Sequence, residues 1–214
     1  MTESIRIASS VYAANDAFAR QNRLLFAGKK LVALNMISSP GSGKTSVLER
    51  MAARYGSALA VITGDIQTTF DADRLKAAGA AAVQIETGGS CHLSAAMVHK
   101  ALTRMDLDNK KLLVIENVGN LVCPAAFDLG ENKKIAVLSV AEGDEKVAKY
   151  PALFARAAAV IVNKTDLLPY VNFSVDRVRE DCLKLNREIR MFPLSCTTGE
   201  GFEVWMDYCA GLTN

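Results

Sequence analysis

Apolar residues fall into seven short runs along the chain, and these runs predict β-strands. Val, Ile, Leu and Ala dominate them with little polar alternation, which is typical of parallel strands buried on both faces. The predicted strands cover residues 31–37, 58–63, 82–86, 112–115, 135–140, 160–163 and 189–193.

Stretches with helical spacing of apolar residues separate most of these strands. The predicted helices cover residues 45–54, 71–78, 94–105, 174–186 and 201–212. This alternation predicts an α/β fold, a doubly wound, mostly parallel sheet with helices on both faces. Ligands bind such sheets at the carboxyl ends of the strands, so we expect the functional residues there.

Residues 5–26 predict an N-terminal amphipathic helix ahead of the first strand. Apolar side chains recur there with approximately helical spacing, and neither Gly nor Pro interrupts the pattern before Gly28. The apolar positions are Ile5, Ala8, Tyr12, Phe18, Ala19, Leu25 and Phe26. We therefore expect an N-terminal helical extension, residues 1–28, followed by one larger domain, residues 29–214.

Composition excludes several classes of protein. The 214 residues include 25 Lys and Arg against 23 Asp and Glu, a balance that argues against a nucleic-acid partner. No apolar run approaches the roughly 20 residues that span a bilayer, and no secretory leader opens the chain. We expect a cytoplasmic protein with no membrane partner. Five cysteines without a C-x-x-C pair predict no disulfide framework.

A phosphate-binding loop follows the first predicted strand. Residues 38–45 read Ser-Ser-Pro-Gly-Ser-Gly-Lys-Thr, similar to the Walker A pattern with Ser38 in place of the first Gly. Backbone N–H groups of such a loop surround phosphate oxygens at a helix N-terminus. The lysine reaches the β- and γ-phosphates, and the hydroxyl after it binds Mg²⁺. The predicted nucleotide-binding residues here are Pro40, Gly41, Ser42, Gly43, Lys44, Thr45 and Ser46.

A second motif predicts which base is bound. Asn163, Lys164 and Asp166 match the N-K-x-D signature of GTPases directly after the sixth strand. An ionised Asp166 can accept hydrogen bonds from guanine N1–H and its 2-amino group, which adenine does not offer. Ser195 and Cys196, after the last strand, resemble the backbone element that contacts guanine. Together the two motifs predict a P-loop GTPase domain.

Two strand ends supply carboxylates for Mg²⁺. Glu116, in Glu-Asn-Val-Gly, resembles the D-x-x-G switch, and Gly119 is placed to contact the γ-phosphate. Asp65 follows the second strand. We expect Thr45, Asp65 and Glu116 at Mg²⁺, and Lys44, Asp65 and Glu116 in catalysis. The alternative for Glu116 is an ordinary strand-end carboxylate before a turn. The sequence alone identifies neither an arginine finger nor a water-positioning Gln, so we expect slow turnover.

Cys91, His92 and Cys123 form a candidate transition-metal site. Cys91 and His92 lie on the loop after the third predicted strand, and Cys123 lies on the loop after the fourth. Both loops leave the same edge of the predicted sheet, and two thiolates with an imidazole suit Zn²⁺ or Ni²⁺. The alternative is that these are ordinary buried or loop residues. Since Cys123 lies four residues after Gly119, movement of that loop with the nucleotide would move a metal ligand.

These motifs together resemble the HypB family, the nickel-incorporation GTPases of nickel–iron hydrogenase maturation. The resemblance implies GTP hydrolysis with Mg²⁺, Ni²⁺ or Zn²⁺ at Cys91, His92 and Cys123, and a GTP-dependent homodimer. It also implies a nickel metallochaperone partner and delivery to the hydrogenase large-subunit precursor. The chain lacks a Cys-rich or His-rich N-terminal stretch, so nickel storage is not expected.

Two other functions stay open at this point. A P-loop small-molecule kinase would tolerate ATP, whereas the N-K-x-D motif predicts guanine selectivity. A urease-type or other accessory GTPase would share the nucleotide site, but urease-type relatives carry a Cys-Pro-His metal motif instead.

Overall fold

The computed structural model describes residues 7–65 and 70–213, with side chains of 7–11, 65 and 70 left undescribed. Seven strands form a parallel sheet in the order β3-β2-β4-β1-β5-β6-β7. The strands are β1 Val32–Ser38, β2 Leu59–Asp65, β3 Ala81–Glu86, β4 Leu112–Glu116, β5 Lys133–Ser139, β6 Ala159–Asn163 and β7 Arg190–Pro193. All seven predicted strands are confirmed.

Helices precede, connect and follow these strands. They are α1 Ile7–Gly28, α2 Lys44–Tyr55, α3 Phe70–Ala77, α4 Ala95–Leu102, α5 Cys123–Ala126, α6 Lys146–Lys149, α7 Pro151–Phe154, α8 Val175–Leu185 and α9 Phe202–Thr213. The sequence did not predict α5, α6 or α7, because four residues are too few to show a helical period. Within residues 7–65 and 70–213, no helix is long and apolar enough to cross a membrane.

The sheet is covered on both faces, which confirms the doubly wound α/β fold. Leu34 and Met36 pack with α2 and with Trp205 of α9, whereas Ala33 packs on the other face with α1 and α4. Ile37, on that same face, packs in a further cluster with α7 and α8. Burial on both sides explains why the strands read as continuous apolar runs.

Helix α1 packs into the core with a different stripe from the predicted one. Ala19 and Phe26 are buried as expected, but Tyr12 and Phe18 remain 43% and 36% exposed. The buried face is completed by Asn15 and Asn22, two polar residues that hydrophobic spacing does not select. The division of the chain at residue 28 stays a prediction.

Strand β1 lies at the point where the chain order in the sheet reverses. Its register aligns Met36 with Glu116 of β4 and Ser38 with Val137 of β5. Ser139 aligns with Asn163 in turn. The segments that follow β1, β4 and β6 therefore meet at one carboxyl edge of the sheet, which is where α/β sheets bind ligands.

Candidate nucleotide and metal sites

The loop between β1 and α2 has the backbone of a phosphate cradle. Gly41 and Gly43 have φ angles of 77° and 92°, in the left-handed region that favours glycine. A Cβ on Gly43 would lie 2.4 Å from Asn163 Nδ2, so only glycine fits there. Helix α2 begins at Lys44 and directs its N-terminal N–H groups towards the loop.

Side chains of the loop hold it in shape. Lys44 is buried, and its Nζ donates to Ser38 Oγ at 2.6 Å. Ser42 Oγ donates to Ser39 O at 3.1 Å. The Ser38 that replaces the first Walker A glycine is therefore accommodated, and its hydroxyl is within reach of the lysine ammonium.

Thr45 and Glu116 form the part of the predicted Mg²⁺ site that the structure describes. Thr45 Oγ1 donates to Glu116 Oε1 at 2.9 Å, at the end of β4. Mg²⁺ is coordinated by oxygen ligands, so a hydroxyl and a carboxylate at these positions fit the ion. The backbone of Asp65 ends β2, but its side chain lies outside the described set, so its role stays a prediction.

The switch-like segment after β4 runs against the phosphate loop. A Cβ on Gly119 would lie 2.9 Å from Pro40 Cγ, so a side chain at Gly119 would push the two loops apart. A cleft of about 380 Å³ lies between them. Residues around it include Lys44, Thr45, Ser46, Glu116 and Gly119 from the predicted set, together with Asp71 and Arg74.

The N-K-x-D segment is tied to the phosphate loop. Asn163 Nδ2 donates to Ser42 O at 3.0 Å, and Lys164 Nζ donates to Gly41 O at 2.8 Å. Lys164 has a φ of 65°, a left-handed conformation that is uncommon outside glycine. The segment that is predicted to read the base is therefore held in fixed relation to the phosphate site.

The loop after β7 completes the predicted base site. Ser195 Oγ donates to Asp166 Oδ1 at 2.5 Å, and the backbone N–H of Cys196 donates to Asn163 Oδ1 at 3.3 Å. Burial raises the pKa of Cys196 to about 11, so this thiol stays protonated. The structure thus brings the two guanine-type motifs together, with Asp166 oriented by a hydroxyl.

The side chains of Cys91, His92 and Cys123 converge. Their ligand atoms all lie within 4.8 Å of one another, and Cys91 Sγ is 3.5 Å from His92 Nδ1. A hydrogen bond with Cys123 raises the pKa of the Cys91 thiol, so a metal bound here displaces its proton. Burial lowers the pKa of His92, which keeps the imidazole neutral and able to donate a lone pair.

The remaining cysteines are unsuited to metal binding. Cys182 and Cys209 are buried in the core, and desolvation raises the pKa of both thiols, that of Cys182 to about 12. They act as small hydrophobic residues of the core.

Two asparagines that the sequence analysis did not single out join the metal loop to the segment after β4. Asn117 Oδ1 accepts hydrogen bonds from the N–H groups of Leu93 and Val118, each at 3.0 Å. Asn120 Nδ2 donates to Cys91 O at 3.3 Å. The loop that carries Cys91 and His92 is thereby attached to the segment that leads from Glu116 to Cys123.

A larger cleft, of about 1000 Å³, lies at the opposite edge of the sheet among the described residues. Its lining mixes Glu131 and Glu188 with Lys133 and Arg190, and it contains neither the glycine-rich loop nor the thiol cluster. Convergent chemistry therefore favours the smaller cleft beside Lys44 as the functional site.

Comparisons with known proteins agree with this geometry. The model of the family "CobW/HypB/UreG, nucleotide-binding domain" matches residues 32–193. The Escherichia coli (strain K12) hydrogenase maturation factor HypB is 48% identical over 196 residues, which cover 91% of this chain and 68% of that protein. The Helicobacter pylori (strain J99) hydrogenase/urease maturation factor HypB is 41% identical over 210 residues, 96% of this chain and 87% of that protein.

Solved structures show the same relationship. The crystal structure of HypB from Helicobacter pylori in complex with nickel matches with a TM-score of 0.89 and 42% identity, over 92% of this chain and 94% of that one. The chain therefore belongs to the CobW/HypB/UreG family of nucleotide-binding domains and, within it, to the HypB hydrogenase maturation factors.

Proposed function

We propose that this protein is a GTP-hydrolysing nickel metallochaperone that acts in the maturation of nickel–iron hydrogenase. The HypB relatives support the pathway, and the nickel complex of the Helicobacter pylori protein supports the metal. The nucleotide is supported by the position of Asn163, Lys164 and Asp166 beside the phosphate loop.

The observation that carries this proposal is the continuity between the two sites. The chain runs from Glu116, which accepts a hydrogen bond from Thr45, to Cys123 in the thiol–imidazole cluster within seven residues. Asn117 and Asn120 attach the loop of Cys91 and His92 to the same segment. A movement of this segment therefore reaches all three metal ligands.

GTP hydrolysis would use the residues around the cleft. Thr45 and Glu116, with Asp65 as predicted, would hold Mg²⁺, which neutralises charge on the β- and γ-phosphates. Lys44 contributes a second positive charge at the phosphates, and the Gly119 N–H is placed to contact the γ-phosphate. The sequence motifs identify neither an arginine finger nor a water-positioning Gln, and we extend to this chain the slow turnover of unassisted GTPases.

Nickel is the cargo, and Cys91, His92 and Cys123 would be its ligands. Three protein ligands leave a coordination position for water or for a second chain. A GTP-dependent homodimer would place two such clusters near each other. We also extend to this chain the metallochaperone partner and the hydrogenase large-subunit precursor that the family resemblance implies.

Nickel binding gives a direct test of this function. The protein is expected to bind Ni²⁺, and His92→Ala should lower the affinity by about 100-fold. Binding of zinc by four ligands in structural sites contributes roughly 10–16 kcal/mol, so the loss of one ligand removes a large share of the binding free energy. Chelator competition measures the affinity, and phosphate release measures GTP hydrolysis with and without Mg²⁺. Cys182→Ala, a cysteine outside the cluster, serves as the control. Equal nickel affinities for all three proteins, or no GTP hydrolysis, would contradict the proposal.

Base selectivity distinguishes this function from a small-molecule kinase. Asp166→Asn is expected to weaken GTP binding by about 100-fold, because the carboxylate accepts two hydrogen bonds that the amide cannot both accept. The same variant should gain affinity for xanthosine triphosphate, whose 2-oxo group accepts from the new amide. Titration with fluorescent nucleotides measures both affinities. Asp181→Asn serves as the control, because Asp181 forms a surface ion pair with Lys184. Tight ATP binding by the unaltered protein would favour the kinase.

One relative supports a second role. The Helicobacter pylori factor is described as a hydrogenase/urease maturation factor and covers most of this chain. The same nickel-binding switch could serve a urease as the receiving enzyme. Nickel transfer to each apoenzyme in a reconstituted assay would distinguish these two recipients.

A further inference from the structure

Helix α1 buries two asparagines that none of the nucleotide or metal chemistry above uses. Asn15 is 6% exposed and Asn22 is fully buried. A buried amide destabilises a fold unless its hydrogen bonds are made. Both side chains make those bonds outside their own helix, and the partners of both lie on the same two segments.

Asn15 joins the two segments that carry the metal ligands. Its Oδ1 accepts from the N–H of Ala95 at 2.9 Å, three residues after His92. Its Nδ2 donates to the carbonyl of Asp128 at 2.8 Å, five residues after Cys123.

Asn22 makes the same connection about two helical turns further along α1. Its Nδ2 donates to Ala95 O and to Leu129 O, each at 3.0 Å. Its Oδ1 lies 2.9 Å from Nδ1 of His99 on α4. Two parallel bridges fix both the separation and the relative orientation of the two segments.

Packing contacts reinforce these bridges. The ring of His92 stacks on Phe127 with 4.0 Å between centroids, and Phe127 stacks on Tyr12 of α1 at 5.2 Å. Gly130 approaches α1 so closely that a Cβ would lie 2.5 Å from Ala19 O. Both ligand-bearing segments are thus in contact with α1, and the metal ligand His92 is connected to it through Phe127.

We propose that α1 is a structural part of the metal site, and that Asn15 and Asn22 are its positioning residues. They hold the segment of Cys91 and His92 and the segment of Cys123 at the spacing that brings the three ligand atoms together. The described residues of α1 line no part of the cleft beside the phosphate loop. Displacement of α1 therefore loosens the metal site without exchange of the nucleotide. Metal affinity would then be regulated in two ways, by the bound nucleotide and by the position of α1. The meaning of this for nickel rests on the proposed function.

The spacing can be measured in the metal-free protein. Diamide takes two electrons and two protons from the Cys91 and Cys123 thiols, forms their S–S bond and becomes the hydrazine. The rate of this cross-link, followed by mass spectrometry of peptides at low protein concentration, reports how often the two sulfurs meet. Asn15→Ala combined with Asn22→Ala should slow it several-fold. Asn15→Ala alone should slow it less, because Asn22 still joins Ala95 to Leu129.

Nickel and nucleotide binding by the same proteins complete the test. The double variant should bind Ni²⁺ about tenfold more weakly and show an altered nickel–thiolate charge-transfer band, as for other residues that orient metal ligands. GDP affinity should be unchanged, and Arg20→Ala, on the exposed side of α1, should match the unaltered protein throughout. Unaltered cross-linking in variants that bind GDP would overturn the inference, as would loss of GDP binding in Asn15→Ala. Because cross-linking needs neither nickel nor GTP, its outcome is independent of the proposed function.

Discussion

Replacement of Lys44 by alanine is expected to lower GTP affinity by about 100-fold or more, because charge-assisted hydrogen bonds to phosphate contribute roughly 1.5–3 kcal/mol each. Lys44 is buried at the start of α2, and its Nζ lies 2.6 Å from Ser38 Oγ inside the phosphate loop. The ammonium is therefore held where the β- and γ-phosphates would lie. Titration with a fluorescent GTP analogue measures the loss.

A matched lysine shows whether the effect is local. Lys29 lies between α1 and β1 and forms an exposed ion pair with Asp108. Lys29→Ala should leave GTP affinity unchanged, since surface ion pairs contribute little. Near-normal GTP affinity of Lys44→Ala would show that the loop of residues 38–45 is not the phosphate site.

Replacement of Cys123 by alanine is expected to change both the strength of nickel binding and its dependence on the nucleotide. Loss of one thiolate should lower Ni²⁺ affinity by about 100-fold, because each ligand contributes a large share of the metal-binding free energy, as in structural zinc sites. The remaining affinity should depend less on the bound nucleotide, because Cys123 is the ligand that lies directly on the segment beginning at Glu116, whereas Cys91 and His92 reach it through Asn117 and Asn120. Chelator competition in the presence of GDP or a non-hydrolysable GTP analogue measures both effects.

The control for this variant is Cys182→Ala, which removes a core thiol and leaves the cluster intact. It should retain both the affinity and its nucleotide dependence. A Cys123→Ala protein whose nickel affinity changes with nucleotide as much as that of the unaltered protein would contradict a role of Cys123 in the coupling. An unchanged affinity would exclude Cys123 as a ligand.

The sheet could be predicted from the sequence because parallel strands buried on both faces leave continuous apolar runs. The orientation of α1 could not. Its apolar residues include Tyr12 and Phe18, which are partly exposed, whereas Asn15 and Asn22 are buried by hydrogen bonds to Ala95, Asp128 and Leu129. Such burial depends on partners far away in the chain, and hydrophobic spacing does not record it.

The candidate site also contains residues that could be predicted from the sequence and residues that could not. Lys44, Thr45, Asn163 and Asp166 could be found because their chemistry requires fixed spacing within short motifs. Asn117, Asn120 and Phe127 could not, because each acts on a residue brought near only by the fold, such as Leu93, Cys91 or His92. The one available signal for Asn117 is a polar residue directly after a buried strand. Convergence of Cys91 with Cys123 followed from the shared sheet edge, whereas the role of Asp65 stays a prediction.

Occupancy of the nucleotide site is expected to change how tightly the thiol–imidazole cluster binds nickel. The most direct test measures Ni²⁺ affinity of the unaltered protein with Mg²⁺ and either GDP or a non-hydrolysable GTP analogue. The two affinities are expected to differ by about tenfold, which lies within the roughly 1–3 kcal/mol that is typical of coupling between two sites. Equal affinities in the two nucleotide states would contradict it.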